Sequence, residues 1–155
     1  EASVPAKRPR LDGNSEDGWI ARAEQWAAWD PNPATRAELQ SHIAVGSVKV
    51  LRDLLATRLE FGTAGLRGPM GPGSNRMNDL VVLQTTQAVC RYLEQCLGAV
   101  QARERGVCIG FDHRARASCN SRSFALRAAA VFLRRDFRVF LYRDFVATPL
   151  VPWCL

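Results

Sequence analysis

Val107-Cys108-Ile109-Gly110-Phe111 is an uncharged run that stops abruptly at Asp112, and it reads as a buried strand. Downstream, Phe124, Leu126, Ala128, Ala129, Ala130, Val131, Phe132 and Leu133 predict a helix, with Ser121 in position to cap it. Arg138-Val139-Phe140-Leu141-Tyr142 then supplies a second buried strand. Strand, helix and strand at this spacing argue for a parallel β-α-β unit with a right-handed crossover. The expected class is α/β.

Working upstream, a long helix is predicted over Asp79–Leu97, with Leu83, Thr86, Cys90, Leu93 and Leu97 on one face and Asp79 as its N-cap. Earlier still, Trp19, Ile20, Ala23, Trp26 and Ala27 recur at helical spacing, and Asp30-Pro31-Asn32-Pro33 ends that pattern. Thr35, with Glu38 three residues on, has the form of a capping box for a helix over 36–43. Val48, Leu51, Leu54 or Leu55, and Leu59 make a further apolar stripe. These helices read as a cover packed on a larger body, with Trp26 and Trp29 as packing anchors.

The expected organisation is a disordered basic N-terminus over 1–17, a helical extension over 18–59, and an α/β domain over 60–155. Two strands do not complete a three-layer domain, and the turn around Gly65 is expected to add one or two more. The apolar ending Val151-Pro152-Trp153-Cys154-Leu155 reads as a truncation. A sheet edge left unfinished in this way is open to self-association or to a protein partner.

At 155 residues and 47% hydrophobic content, the chain can bury one core. No apolar stretch approaches the roughly 18 residues of a membrane span, so the expected location is cytoplasmic. The net charge of +6, mostly arginine, favours anionic partners. Lys7-Arg8-Pro9-Arg10 reads as a solvated tail, and without a nucleic-acid module no nucleic-acid partner is expected. Cys90, Cys96, Cys108, Cys119 and Cys154 form no Cys-x-x-Cys pair, and His42 and His113 complete no zinc pattern. Most of these thiols are expected to be buried, Cys119 being the one placed in a polar, exposed segment.

The chemistry points to Glu60-Phe61-Gly62-Thr63-Ala64-Gly65-Leu66-Arg67-Gly68 and the following Met70-Gly71-Pro72-Gly73-Ser74-Asn75-Arg76-Met77-Asn78. Five glycines and two arginines in this span suggest a stiff cationic turn facing an anion, because glycine permits close approach and arginine presents a fixed fork of donors. A glycine-rich hairpin with solvated arginines fits the same spacing equally well. Asp112-His113-Arg114 falls at the carboxyl end of the first predicted strand, where ligand loops of open α/β sheets gather. Asp112 is placed to orient Arg114 toward a phosphate, the alternative being a surface ion pair. His113 reads as solvent-facing, and Ser121 and Ser123 read as helix caps. No Gly-x-x-x-x-Gly-Lys-Ser/Thr loop, dinucleotide fingerprint or carboxylate pair is present.

The run from Phe61 to Gly68, Asn75-Arg76-Met77-Asn78, Gly110-Phe111-Asp112-His113-Arg114 and the Thr148-Pro149 step together resemble the first domain of the α-D-phosphohexomutases. Trp26-x-x-Trp29-Asp30 and the residues from Arg58 to Arg67 are most similar to the phosphoglucomutase-2 (phosphopentomutase) branch, and the glucose-1,6-bisphosphate synthase branch is also similar. The resemblance implies a three-layer α/β/α domain I, here apparently incomplete, with an N-terminal helical extension. It implies phosphoryl transfer on a phosphosugar through a phosphoserine and a bisphosphate, with Mg2+ and a sugar bisphosphate activator. It places Arg67 beside the phosphoserine loop and Arg114, braced by Asp112, in support of the same region. The catalytic serine of that family stands in a Thr-Ala-Ser-His-Asn-Pro-like loop that these 155 residues do not contain, so this stretch alone is expected to be inactive. Arg135-Asp136-Phe137 stands where the family commonly has a glycine turn, and that junction is expected to be less regular.

Overall fold

The computed structural model describes residues 15–62 and 65–152. Residues 1–14 with the Lys7-Arg10 run, Thr63, Ala64 and Trp153-Cys154-Leu155 of the apolar end lie outside the described residues, whereas Ser15, Glu16 and Asp17, expected to be disordered, belong to the start of the first helix.

Three helices open the described chain: α1 (Glu16–Trp29), α2 (Pro33–Ala44) and α3 (Val48–Leu55). Ser15 caps α1 by accepting the Gly18 amide at 3.1 Å. Trp19, Ala23, Trp26 and Ala27 form the inward face of α1, and they pack with Leu39 of α2 and Leu51, Leu54 and Leu55 of α3. Leu80, from the next helix, completes this cluster. Trp29 is not a packing anchor. It is 57% exposed, because its place on the helical wheel falls outside the face shared by Trp19, Ala23 and Trp26.

β1 (Phe61–Gly62) and β2 (Gly65–Leu66) form an antiparallel hairpin, Phe61 opposite Leu66. Among the described residues this hairpin pairs only with itself, which corrects the expectation that it extends the parallel sheet. The adjoining backbone is committed elsewhere: the Leu59 amide donates to the Ser74 carbonyl at 3.2 Å and the Ser74 amide to the Leu54 carbonyl at 2.9 Å.

The α/β part runs through α4 (Asp79–Leu97), α5 (Ala99–Arg105), β3 (Val107–Ile109), β4 (Ala115–Arg116), β5 (Cys119–Asn120), α6 (Ser121–Leu133) and β6 (Val139–Leu141). A 3-10 turn over Thr148–Leu150 follows, with Pro149 in the first turn as expected. β3 and β6 pair in parallel, with Val107 opposite Val139 and Ile109 opposite Leu141. Cys90 of α4, Ala102 of α5, and Val131 and Phe132 of α6 pack against Val107, Ile109 and Val139 on one face of this pair, and these strand residues are half-buried rather than buried as expected. Phe140 stands between these positions in the β6 alternation and is 56% exposed. The result is the expected strand-helix-strand unit, part of an α/β/α arrangement.

Three of the expected helix caps are displaced, each by an asparagine. Asn78 accepts the Val81 amide at 2.9 Å, Asn120 the Ser123 amide at 2.7 Å, and Asn32 the Ala34 amide at 3.1 Å. Asn78 and Asn120 adopt extended backbone (φ −153° and −150°) that aims the side-chain carbonyl back over the first turn. Asp79, Ser121 and Thr35 lie inside their helices and are free for longer-range bonds. Thr35 donates to Asp30 at 2.5 Å, Ser121 to Asp112 at 2.5 Å, and Asp79 accepts from Asn32 at 2.5 Å.

At the α6–β6 junction, Asp136 takes φ +62°, the left-handed conformation that a glycine supplies more cheaply. The Phe137 amide closes the turn on the Phe132 carbonyl at 3.1 Å, so the junction is tight despite the missing glycine. Cys119 is buried, not exposed. It lies in β5, and burial first, then the nearby Asp79 and Asp30 carboxylates, push its thiol pKa up; it is a packed thiol, not a reactive one.

Candidate functional site

The glycine-rich segment after β2 is held by one buried side chain. Asn78, fully buried, donates from Nδ2 to the carbonyls of Gly71 and Gly73, each at 2.8 Å. Met77 donates its amide to the Pro69 carbonyl at 2.8 Å, and Gly71 donates to the Met77 carbonyl at 3.2 Å. Gly73 has φ +118°, and a Cβ there would stand 2.6 Å from the Leu54 carbonyl oxygen. The close approach of this loop to the end of α3 therefore needs a residue without a side chain.

This segment forms one wall of a cleft of about 810 Å³. The loop after β3 lines it with His113 and Arg114, β4 with Arg116, and α2 with Glu38 and His42. Arg67 and Arg114, the two arginines singled out from the sequence, line the same cleft together with Arg76 and Arg116. Arg67 is exposed there, and among the described residues neither its side chain nor that of Arg76 has a hydrogen bond or ion pair. A concave surface carrying several guanidinium groups and one carboxylate, Glu38, is suited to an anion.

Arg114 is oriented rather than loose. Its Nε donates to Asp112 Oδ2 at 2.5 Å and its amide to Asp112 Oδ1 at 3.0 Å. Ser121 donates its hydroxyl to the same Oδ1 at 2.5 Å and its amide to the Arg114 carbonyl at 3.0 Å. Burial works against charge on Asp112, but the Ser121 hydroxyl, the Arg114 amide and the Arg114 guanidinium together outweigh it and hold the carboxyl below its usual range. The carboxylate uses its acceptors on these three donors, while the outer nitrogens of Arg114 stay open, its side chain being 68% exposed. A second depression of about 470 Å³ shares Arg114 and Ser121 and extends to Asp112 and Thr148, so Arg114 stands between the two hollows.

His113 is exposed and sits edge-on to Phe145 at 6.4 Å between ring centroids. Ser123 is not the cap expected: it donates its hydroxyl to the Asn120 carbonyl at 2.8 Å, and its amide is the one that Asn120 caps. Glu38, His42 and Arg116 were not singled out from the sequence. Glu38 and His42 are four residues apart on α2 and share a face, but Glu38 had been read only as half of a capping box. Nothing in the polar stretch around Arg116 signals the β4–β5 hairpin that turns it into the cleft.

A parallel β-α-β unit with Asp112 and Arg114 in the loop after its first strand defines an α/β domain. The chain belongs to the phosphoglucomutase/phosphomannomutase family, whose α/β/α domain I matches residues 58–155. It is 43% identical to a phosphopentomutase of Mus musculus over 98% of this chain and 25% of that protein. It is 42% identical to a glucose 1,6-bisphosphate synthase of Homo sapiens over 84% of this chain and 21% of that protein. A probable phosphoribomutase of Schizosaccharomyces pombe is 37% identical over 85% of this chain and 22% of its own length. The chain thus spans about a quarter of the length of the curated relatives it matches. No solved structure gives a significant match. Among the described residues no helix is long and apolar enough to cross a membrane.

Proposed function

We propose that these residues form a phosphate-facing wall in a cytoplasmic intramolecular phosphotransferase of the phosphoglucomutase/phosphopentomutase type. Such an enzyme interconverts a sugar 1-phosphate with the 6- or 5-phosphate through a bisphosphate and a phosphoserine. The observation that carries this reading is the opening of Arg67 and Arg114 onto one cleft. Two guanidinium groups there offer paired donors to the equatorial oxygens of a phosphoryl group, where charge must be balanced during transfer. Asp112 is a positioning residue: it touches Arg114, not the ligand, and Ser121 holds Asp112 in turn. None of these groups is set up to move a proton.

Among the described residues no group of three or more His, Cys, Asp or Glu is placed to hold a metal ion. They therefore offer no ligand set for the Mg2+ that the reading implies, and no step is assigned to it. The 155 residues also contain no Thr-Ala-Ser-His-Asn-like loop, so by themselves they are proposed to bind a phosphosugar without turning it over. Identities of 43% and 42% to the mutase and the bisphosphate synthase do not separate the two branches, and the synthase remains the second reading.

The test uses the purified 155-residue chain with ribose 1-phosphate or glucose 1-phosphate plus the bisphosphate activator. Saturable binding without turnover is expected, with binding lost in Arg67→Ala. Turnover by this chain contradicts the assignment of the nucleophile to another segment, and absence of binding contradicts the proposed site.

A further inference from the structure

Arg116 is the cleft arginine that no sequence motif accounts for. It stands at the end of β4, its side chain 56% exposed, and lines the cleft beside the glycine-rich segment. Its Nη1 donates to the Met70 carbonyl at 2.7 Å, and its Nη2 lies 3.5 Å from Glu38 Oε1. The guanidinium reaches Met70 because Gly71 carries no side chain: a Cβ there would stand 2.6 Å from Nη1. Neither partner satisfies the charge. The carbonyl is neutral, and the Glu38 carboxylate is distant and itself 42% exposed, a geometry in which ion pairs hold weakly. A guanidinium has five donors, so Arg116 keeps donors free toward the hollow.

We infer that Arg116 is a further anion-binding residue of the cleft, paired with Glu38, which competes with the ligand's phosphate for the same guanidinium. The inference rests on the phosphosugar reading above and deepens it. A phosphate carries more charge than one carboxylate and accepts two guanidinium donors in parallel. Arg116 therefore leaves Glu38 for the ligand, and the cost of that exchange is subtracted from affinity. It follows that α2, outside the matched domain, tunes how tightly the cleft holds its ligand.

The experiment measures ribose 1-phosphate binding to the 155-residue chain by titration calorimetry, with thermal unfolding followed by circular dichroism to check each variant's fold. Arg116→Ala is expected to weaken binding about tenfold. Glu38→Gln is expected to tighten it about two- to fivefold, the scale of one exposed ion pair, and to have no effect once Arg116→Ala is present. Arg116→Lys, which keeps the charge but loses the fork, is expected to fall between wild type and Arg116→Ala. A neutral or weakening Glu38→Gln overturns the inference, as does an equal gain with and without Arg116. If Arg67→Ala abolishes binding while the Arg116 and Glu38 variants change nothing, this inference fails alone. If the unsubstituted chain shows no saturable binding, the phosphosugar reading fails with it.

Discussion

Asn32 Nδ2 donates to Asp79 Oδ2 at 2.5 Å, across 47 positions of sequence, with both residues buried. The bond joins the turn between α1 and α2 to the start of α4, and Arg127 of α6 binds the other oxygen of the same carboxylate. Ser118, in the β4–β5 turn, donates to Asn32 Oδ1 at 3.0 Å. The helical extension is thus tied through polar groups to the elements that carry the cleft.

Asp79 is nearly fully buried, so removing it strands the buried Asn32 Nδ2 and takes the carboxylate from the part-exposed Arg127 guanidinium. Asp79→Ala should lower unfolding free energy by about 2–3 kcal/mol. Urea unfolding checks this, and a loss under about 0.5 kcal/mol, typical of a surface change, would show that the network does not hold these elements together.

Part of this was legible from residue types alone. The parallel pair and its helix followed from two short apolar runs flanking an apolar helix, and Arg67, Arg114 and Asp112 followed from a glycine cluster and a strand end. The caps were misread because Asp79, Ser121 and Thr35 are good capping residues in isolation. Each stands one to three positions after an asparagine that does the capping. Only tertiary packing shows that Asp79 and Ser121 have distant partners. The separate hairpin at Phe61–Leu66, the burial of Cys119 and the α2 wall of the cleft share that cause: long-range contacts leave no local periodicity.

Two carboxylates should give opposite pH trends. Asp112 is held below its unfolded value of 3.8; its stabilisation is present above that value and lost as pH falls through the folded pKa. Asp30 is raised above 3.8, mainly by burial, against the pull of Thr35 and the Asn32 amide. The folded state therefore holds the Asp30 proton longer, and stability falls as pH rises from 3.8 through the folded pKa. The stability advantage of wild type over Asp112→Asn should grow with rising pH, while the difference between wild type and Asp30→Asn should move in favour of the variant. Urea midpoints from pH 7 down to pH 2.5 read both trends; parallel trends for the two variants would refute the assignment.

Ala117 has φ +50° in the two-residue turn between β4 and β5. Glycine occupies such a first position without steric cost. Ala117→Gly should raise stability by roughly 0.5–1 kcal/mol after the added unfolded-state entropy is counted. A lower melting temperature for this variant would show that the turn is not strained.

Gly73 should be intolerant for the opposite reason. A Cβ at 2.6 Å from the Leu54 carbonyl oxygen meets backbone that cannot rotate away. Gly73→Ala should cost about 2 kcal/mol or more and should weaken ribose 1-phosphate binding with it, because the loop carrying Arg76 must shift. Unchanged melting and unchanged binding would remove the loop from the account.

The central claim is that Arg67 and Arg114 engage one anionic ligand from one cleft. The direct measurement is a titration of the chain with ribose 1-phosphate, followed by nuclear magnetic resonance of the arginine Nε groups, with Arg67→Lys and Arg114→Lys assigning the signals. Both signals are predicted to shift along a single saturation curve, while the exposed Arg91 and Arg134 stay still. Separate saturation curves, or shifts no larger than those of Arg91 and Arg134, would contradict it.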